Sequence, residues 1–201
     1  MSADKVAITA NPDPRAPDEC VLYVDAALVE AGTFRFSRDA DKTSPLADEL
    51  FALPEIEAFE VSPRRIRLRK SGDASWRAVG PRLGAAVRSA LAKGVPLVPP
   101  AMLESLPAEP TFRAAVEAVL EAEINPGLAH HSGHVTVVDV QGNDVYVTMG
   151  GGCQGCGFAD ATLRDGVERT LRERIPNFGQ LIDTTDHAAG ERPYVPYAGA
   201  D

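Results

Sequence analysis

The chain has 201 residues, of which 44% are hydrophobic and 24% charged, an ordinary globular composition. This composition excludes wholesale disorder and a collagen-like chain, and no apolar run approaches the roughly 18 residues of a membrane span. The N-terminus has no basic segment followed by an apolar stretch, so we expect no secretory signal, no membrane association and a cytoplasmic location. Three cysteines are too few for a disulfide scaffold. In a reducing compartment a cysteine pair more often binds metal or performs catalysis.

The net charge of −9 lies entirely in the second half of the chain. Residues 1–100 contain 14 basic and 14 acidic residues, whereas residues 101–201 contain 6 and 15. An acidic surface repels a phosphate backbone, so we expect no nucleic acid among the partners. Charge asymmetry between halves also favours two structural units.

Prolines concentrated between Gly94 and Pro110 mark the boundary between those units. Proline interrupts helix interiors and central strands, so this stretch predicts a semi-rigid extended linker. We therefore predict a first domain over residues 1–98, a linker over 99–110 and a second domain over 111–201.

The first domain combines strand and helix patterns. A β-rich run predicts a strand at 20–24. Ser44 and Pro45 have the residue types of an N-cap and first helical position. An apolar stripe predicts a second helix from Trp76 to Leu91, ending near Gly94. Alternation of apolar and polar residues predicts further strands, at 56–61 and 65–69.

The strand at 65–69 carries arginine at every second position, with Ile66 and Leu68 on the opposite face. This pattern predicts a half-buried strand of an antiparallel sheet. Together with Arg64 and Lys70, its three arginines (Arg65, Arg67 and Arg69) form a basic patch. Two interpretations stay open: a docking surface for acidic partners or for the acidic half of the chain, and a strand edge protected by charge.

The second domain is also predicted to be α+β. A helix should begin after Thr111 as N-cap and stop at residues 125–127. A β-hairpin is predicted from strands at 134–140 and 145–149. A helix from about Asp160 to Arg174 and a short strand at 180–183 complete it. The fold class is therefore two small α+β domains joined by a proline-rich linker.

The segment from Gly150 to Gly157, GGGCQGCG, follows the hairpin and precedes the last helix. Glycines let the backbone turn tightly and direct amide groups at an anion. A helix N-terminus nearby favours the thiolate, which is the form of cysteine that binds metal or attacks a disulfide. A spacing of two residues lets the sulfurs of Cys153 and Cys156 converge on one centre.

A single cysteine pair is ambiguous between zinc, iron–sulfur and dithiol roles. Zinc and a four-iron cluster both take four protein ligands, but the chain offers one pair, and Cys20 is interpreted as a buried strand residue. The remaining ligands would come from histidines or from a second chain. A symmetric dimer brings four thiolates together, and two-fold dimers are the commonest oligomers.

Two alternative functions use the same cysteines. In a dithiol–disulfide oxidoreductase, Cys153 would attack and Cys156 would resolve, although a hairpin is not the βαβ unit of thioredoxin type. In a zinc-stabilised interaction module, two histidines would join them. The candidate histidines lie close together before the hairpin: His130, His131 and His134. They could equally belong to a solvated turn.

Residues 150–156, together with 160–168 and 124–128, resemble the C-terminal domain of Nfu-type (NifU-like) iron–sulfur cluster carrier proteins. The first domain is similar to the Nfu N-terminal domain through a weaker, mostly hydrophobic pattern. That pattern lies in three stretches: 9–14, 44–51 and 76–97.

This resemblance implies a carrier without catalytic residues. Cys153 and Cys156 of each of two chains would bind one [4Fe–4S] cluster, so that the cluster-bound protein is a homodimer through its C-terminal domain. The partners it implies are iron–sulfur scaffold proteins, which supply the cluster, and apo iron–sulfur enzymes, which receive it.

Overall fold

The computed structural model describes residues 5–40, 44–130, 133–151 and 157–185. The chain divides into two compact units, residues 1–105 and 106–201. Helices and strands occur in both units, and the predicted α+β class is confirmed. Among the described residues, no helix is both long and apolar enough to cross a bilayer.

The described part of the first unit contains a five-stranded antiparallel sheet in the order β1-β2-β5-β4-β3. Its strands are β1 (Ile8–Pro12), β2 (Glu19–Val24), β3 (Phe34–Ser37), β4 (Ile56–Ser62) and β5 (Arg65–Lys70). Strand β1 was not predicted, because it is a short edge strand that ends at a proline and buries almost none of its residues.

Two helices cover one face of this sheet, α1 (Pro45–Phe51) and α2 (Trp76–Ala92). Helix α1 begins as predicted, since the Ser44 hydroxyl accepts a hydrogen bond from the Ala47 amide at 3.0 Å. The Phe51 ring of α1 contacts the Phe59 ring of β4, with centroids 5.3 Å apart. Helix α2 ends at the predicted glycine, because Gly94 has a φ of +65°.

The segment predicted to be an extended linker is partly helical. Helix α3 (Pro100–Glu104) lies within it, and α4 (Glu109–Val119) begins before the predicted N-cap Thr111. Both helices have proline in their first turn, where the missing N–H would have had no partner within the helix. The prolines therefore mark the starts of helices, and the prediction that they exclude helix from this stretch was wrong.

The predicted helix stop at residues 125–127 is also wrong. Helix α4 continues through a π-helical turn (Leu120–Ile124) into α5 (Asn125–Ala129). Pro126 lies in the first turn of α5, where proline is compatible with a helix.

The second unit contains a three-stranded sheet in the order β6-β7-β8 among its described residues. The predicted hairpin is confirmed as β6 (Gly133–Gln141) and β7 (Asp144–Gly151), and the last strand as β8 (Leu181–Asp183). Helix α6 (Gly157–Arg174) begins a few residues before the predicted start. One apolar core joins these elements, formed by Phe112 and Val116 of α4, Val147 and Met149 of β7, and Val167 and Leu171 of α6 together with their neighbours.

Candidate functional site

Strand β7 and helix α6 flank the cysteine motif. Strand β7 ends at Gly151 and α6 begins at Gly157. Residues 152–156, which include Cys153 and Cys156, lie outside the described residues. What the structure describes is therefore how the two flanking elements are held, and the roles of the two cysteines stay predictions.

The end of β7 is bonded to the chain that follows β8. Strands β7 and β8 are parallel, and the Thr184 amide donates to the Val147 carbonyl at 2.8 Å. The Met149 amide donates to the hydroxyl of Thr185 at 2.8 Å, and this bond is buried. Thr185 is 5% exposed. The direction in which β7 enters the glycine segment is thus set by a residue more than thirty positions away.

The start of β6 is held by the side-chain amide of Asn125. Its Oδ1 accepts from the Val135 amide at 2.8 Å, and its Nδ2 donates to the Val135 carbonyl at 3.2 Å. Strand β6 is an edge strand, so these backbone groups would otherwise lack a strand partner. The side chain of Asn125 therefore pairs with this position as a neighbouring strand would.

Asn125 and Thr185 were not recognised as site residues from the sequence. Asn125 lies in the stretch 124–128 that carried part of the resemblance, which is the signal that could have found it. Thr185 has no comparable local signal, because its partner is brought near only by the parallel pairing of β7 and β8.

His134 lies across Gly150, its neighbour in the antiparallel pairing of β6 and β7. A Cβ atom on Gly150 would lie 2.6 Å from His134 Nε2, which is far inside van der Waals contact. The first glycine of the cysteine segment therefore makes room for the imidazole ring.

The predicted histidine cluster is only partly described. His130 follows α5 and His134 lies on β6, and both are exposed, whereas His131 lies outside the described residues. Within the described ranges, no group of three or more histidine, cysteine, aspartate or glutamate side chains could hold a metal ion. A zinc site using His131 and the two cysteines is not tested by these ranges.

Cys20 is a buried residue of β2, as its strand pattern indicated. It is fully buried, and burial raises the pKa of its thiol to about 11. A neutral thiol enclosed in a sheet core neither binds metal nor attacks a disulfide. Cys20 therefore contributes to packing in the first unit.

The residues of the basic patch predicted around β5 lie on opposite faces of the sheet. Arg67 and Arg69 are exposed on its open face, whereas Lys70 is 9% exposed and its Nζ lies 5.5 Å from the centre of the Trp76 ring. The alternative interpretation, a strand edge protected by charge, is wrong because β5 lies between β2 and β4.

Residues 116–182 match the model of the NifU-like domain family. This range includes the last four residues of α4, all of β6, β7 and α6, and both cysteines. The second unit is therefore similar to the NifU-like domain over these residues, and the resemblance inferred from the cysteine motif is confirmed.

The curated relatives of this chain include proteins named Fe/S biogenesis protein NfuA. The one from Pseudomonas savastanoi pv. phaseolicola is 45% identical over 100 residues, covering 48% of this chain and 51% of the relative. The one from Pseudomonas aeruginosa PAO1 is 55% identical over 76 residues, covering 37% and 39%. The matches thus span about half the length of these relatives or less.

Among solved structures, the chain is similar to a NifU-like protein from Saccharomyces cerevisiae determined by solution NMR. The identity is 14%, the TM-score is 0.36, and the match covers 47% of this chain and 86% of that one. A TM-score of this size does not establish a common fold.

Proposed function

We propose that this protein is a non-enzymatic carrier of iron–sulfur clusters. The observation that carries the proposal is the match of residues 116–182 to the NifU-like domain family, because that range encloses both cysteines of the C-x-x-C motif. The names of the NfuA relatives, which refer to iron–sulfur biogenesis, support the same role. The cytoplasmic location predicted from the sequence belongs to this proposal.

In this proposal, Cys153 and Cys156 of two chains bind one [4Fe–4S] cluster, each chain supplying two thiolates. A cluster of this type takes four cysteine ligands. Cys20, the third cysteine of the chain, is fully buried in the first unit. The two remaining ligands would therefore come from Cys153 and Cys156 of a second chain. The two chains would form a two-fold dimer through the NifU-like domain.

The strands and the helix next to the cysteine segment are held in place by hydrogen bonds and core packing, which supports a cluster site between them. Backbone amides of β6 and β7 donate hydrogen bonds to the side chains of Asn125 and Thr185, and the core residues Val167 and Leu171 anchor α6. Helix α6 begins one residue after Cys156, and a helix N-terminus stabilises negative charge such as that of thiolates and a cluster.

Exchange of ligands is the chemistry that a carrier needs. A cluster shared between two chains is released when thiolates of a recipient replace those of the carrier, with no change in the oxidation state of iron required. The donor of the cluster would be a scaffold protein, and the recipients would be apo iron–sulfur enzymes.

The test is anaerobic reconstitution with ferrous iron and sulfide. We expect brown protein with about two irons and two sulfides per chain, a Mössbauer spectrum of a four-iron cluster, and a dimer by size. Cys153→Ala and Cys156→Ala should each abolish cluster binding. Cys20→Ala should not, and it is the matched control because it also removes one cysteine.

Three results would contradict the carrier. Colourless protein without sulfide would exclude cluster binding. Tight zinc, lost in His131→Ala or His134→Ala, would support the interaction module. A disulfide between Cys153 and Cys156 that exchanges with protein thiols would support the oxidoreductase.

A further inference from the structure

The open face of the first unit's sheet carries a row of arginines along its central strand. Arg65, Arg67 and Arg69 alternate with the buried Ile66 and Leu68. Helices α1 and α2 pack on the opposite face, where the buried side chains of the sheet lie. The arginine face is therefore not covered by α1 or α2.

A groove of about 400 Å³ lies on this face. Its lining includes Ser37 and Ala58, two small residues that are neighbours in the pairing of β3 and β4. Ala58 is in turn opposite Arg69 of β5. Because the side chains of Ser37 and Ala58 are small, they leave space beside Arg69.

Two of the arginines have acidic neighbours that lie beyond normal hydrogen-bond distance. Arg67 Nη1 lies 3.9 Å from Glu19 Oε2, and Arg69 Nε lies 3.8 Å from Glu57 Oε2. Both distances exceed a normal hydrogen bond. The side chains of Arg67 and Arg69 are 55% and 57% exposed, so an incoming carboxylate can reach both guanidinium groups.

Arg35 of β3 is bonded quite differently. Its Nε donates to Glu60 Oε1 at 2.6 Å, and both side chains are less exposed than those of Arg67 and Arg69. Arg35 and Glu60 thus form an ion pair that lines one side of the groove. The exposed guanidinium groups are those of Arg67 and Arg69. A planar guanidinium binds a carboxylate through two parallel hydrogen bonds.

We propose that this groove docks an extended acidic segment of a partner protein, through carboxylates bound by Arg67 and Arg69. Side chains at alternate positions of a strand are about 6.8 Å apart on one face. An extended peptide lying along β5 presents its own alternate side chains at the same spacing. Glutamates at every second position would therefore meet successive arginines.

The mixed charge of the groove distinguishes this occupant from a nucleic acid. Glu19, Glu57 and Glu60 lie among the arginines and would repel a continuous line of phosphates. A polypeptide can place a carboxylate beside each arginine and a hydroxyl or amide beside each glutamate. The docking surface does not involve the cysteine segment, so it is tested on the cluster-free protein.

The experiment is fluorescence anisotropy with the full-length protein at low salt. The probe is a labelled synthetic peptide with glutamates at alternate positions separated by serine. A second peptide of the same composition has its glutamates consecutive, and an oligothymidine tests the nucleic-acid alternative. We expect saturable binding of the alternating peptide, weaker binding of the consecutive one, and loss of binding as salt rises.

The variant Arg67→Gln/Arg69→Gln should weaken binding of the alternating peptide by about tenfold or more, since it removes two charge-assisted contacts. Arg77→Gln/Lys93→Gln is the matched control, because it removes the same charge from α2 and its C-cap. Unchanged Trp76 emission and circular dichroism would show that both variants fold.

Four results would overturn the proposal: no binding by the unmodified protein, equal weakening in both double variants, equal affinity for the two peptides, or stronger binding of oligothymidine.

Discussion

Asn125 shows how one side chain can substitute for a missing strand. Its amide forms two hydrogen bonds with Val135 and a third with Glu121 Oε1 at 3.0 Å. Because the bonds to Val135 satisfy backbone groups on an edge strand, Asn125 links the start of α5 to β6, the first strand of the hairpin that precedes the cysteine segment.

We expect Asn125→Ala to lower the free energy of unfolding of the second unit by about 1–2 kcal/mol, since partly buried backbone groups lose their partners. The Val135 amide should exchange its hydrogen faster. Glu121→Ala removes only the exposed bond and should change stability by less than about 0.5 kcal/mol. Equal effects of the two substitutions on Val135 exchange would contradict the pairing.

Gly179 is required by a close approach of two loops. Its amide donates to the Asn143 carbonyl at 2.8 Å, and a Cβ atom would lie 2.8 Å from the same oxygen and closer still to the buried carboxylate of Asp144. That carboxylate already accepts from the Gln180 amide and side chain, so it has little freedom to move.

We expect Gly179→Ala to destabilise the second unit by about 1–3 kcal/mol through overpacking. Gly166→Ala is the matched control, because nothing lies within 4 Å of a Cβ at that position of α6. It should stabilise by about 0.5–1 kcal/mol through helix propensity. Denaturation followed by circular dichroism measures both, and a neutral Gly179→Ala would refute the close approach.

At the scale of elements, an ion pair joins the two helices of the first unit. Lys93 Nζ, at the C-cap of α2, lies 2.8 Å from Glu49 Oε1 of α1. The hydrogen bond from Lys93 lowers the pKa of the Glu49 carboxyl below 4.5, with a further contribution from Ser89. A lowered pKa in the folded state stabilises the fold above pH 4.5, and this stabilisation is lost as the pH falls through the folded-state pKa.

Lys93→Met should therefore lower the free energy of unfolding by about 0.5 kcal/mol at pH 7, a small value because the pair is solvated. The difference from the unmodified protein should shrink as the pH falls below 4.5. Urea denaturation followed by Trp76 fluorescence reports on this unit, since Trp76 is the single tryptophan of the chain. Arg77→Met is the control, and a difference independent of pH would refute the pair.

Pairing of elements decided which local interpretations were correct. The alternation at 65–69 predicted a half-buried strand, and β5 is one. It could not show whether β5 lies at an edge, because neighbouring strands are chosen by contacts far along the chain. Prolines at 100, 110 and 126 indicated breaks, yet each occupies the first turn of a helix, where its lack of an N–H has no cost.

At the scale of the whole molecule, the proposed carrier should change its oligomeric state with its cargo. Two chains would be joined by the cluster, so we expect a dimer that dissociates when a strong iron chelator removes the iron. The dimer fraction should fall on dilution, because association depends on protein concentration. Analytical ultracentrifugation before and after chelation measures this, and Cys153→Ala provides the cluster-free reference.

A dimer that persists after chelation would show an interface independent of the cluster. A monomer that retains the cluster would contradict the shared site. Both outcomes are distinct from a failure of peptide docking, which depends on the arginine groove and is measured without iron.

The sequence alone determined the α+β class, the start of α1, the hairpin of the second unit and the position of the cysteine pair. These features follow from local patterns: alternation in β6 and β7, the Ser44 cap, and the C-x-x-C spacing. The NifU-like resemblance was also local, since it rested on contiguous motifs around residues 124–128, 150–156 and 160–168.

Only the tertiary structure decided which distant residues support those features. The roles of Asn125, Thr185 and Gly179 depend on partners that are not their neighbours in the chain. The exposed arginine face exists because β5 pairs with β2 on one side and β4 on the other, leaving its polar side chains on the face opposite the helices. Such arrangements depend on the packing of the whole unit, so no pattern of neighbouring residues specifies them.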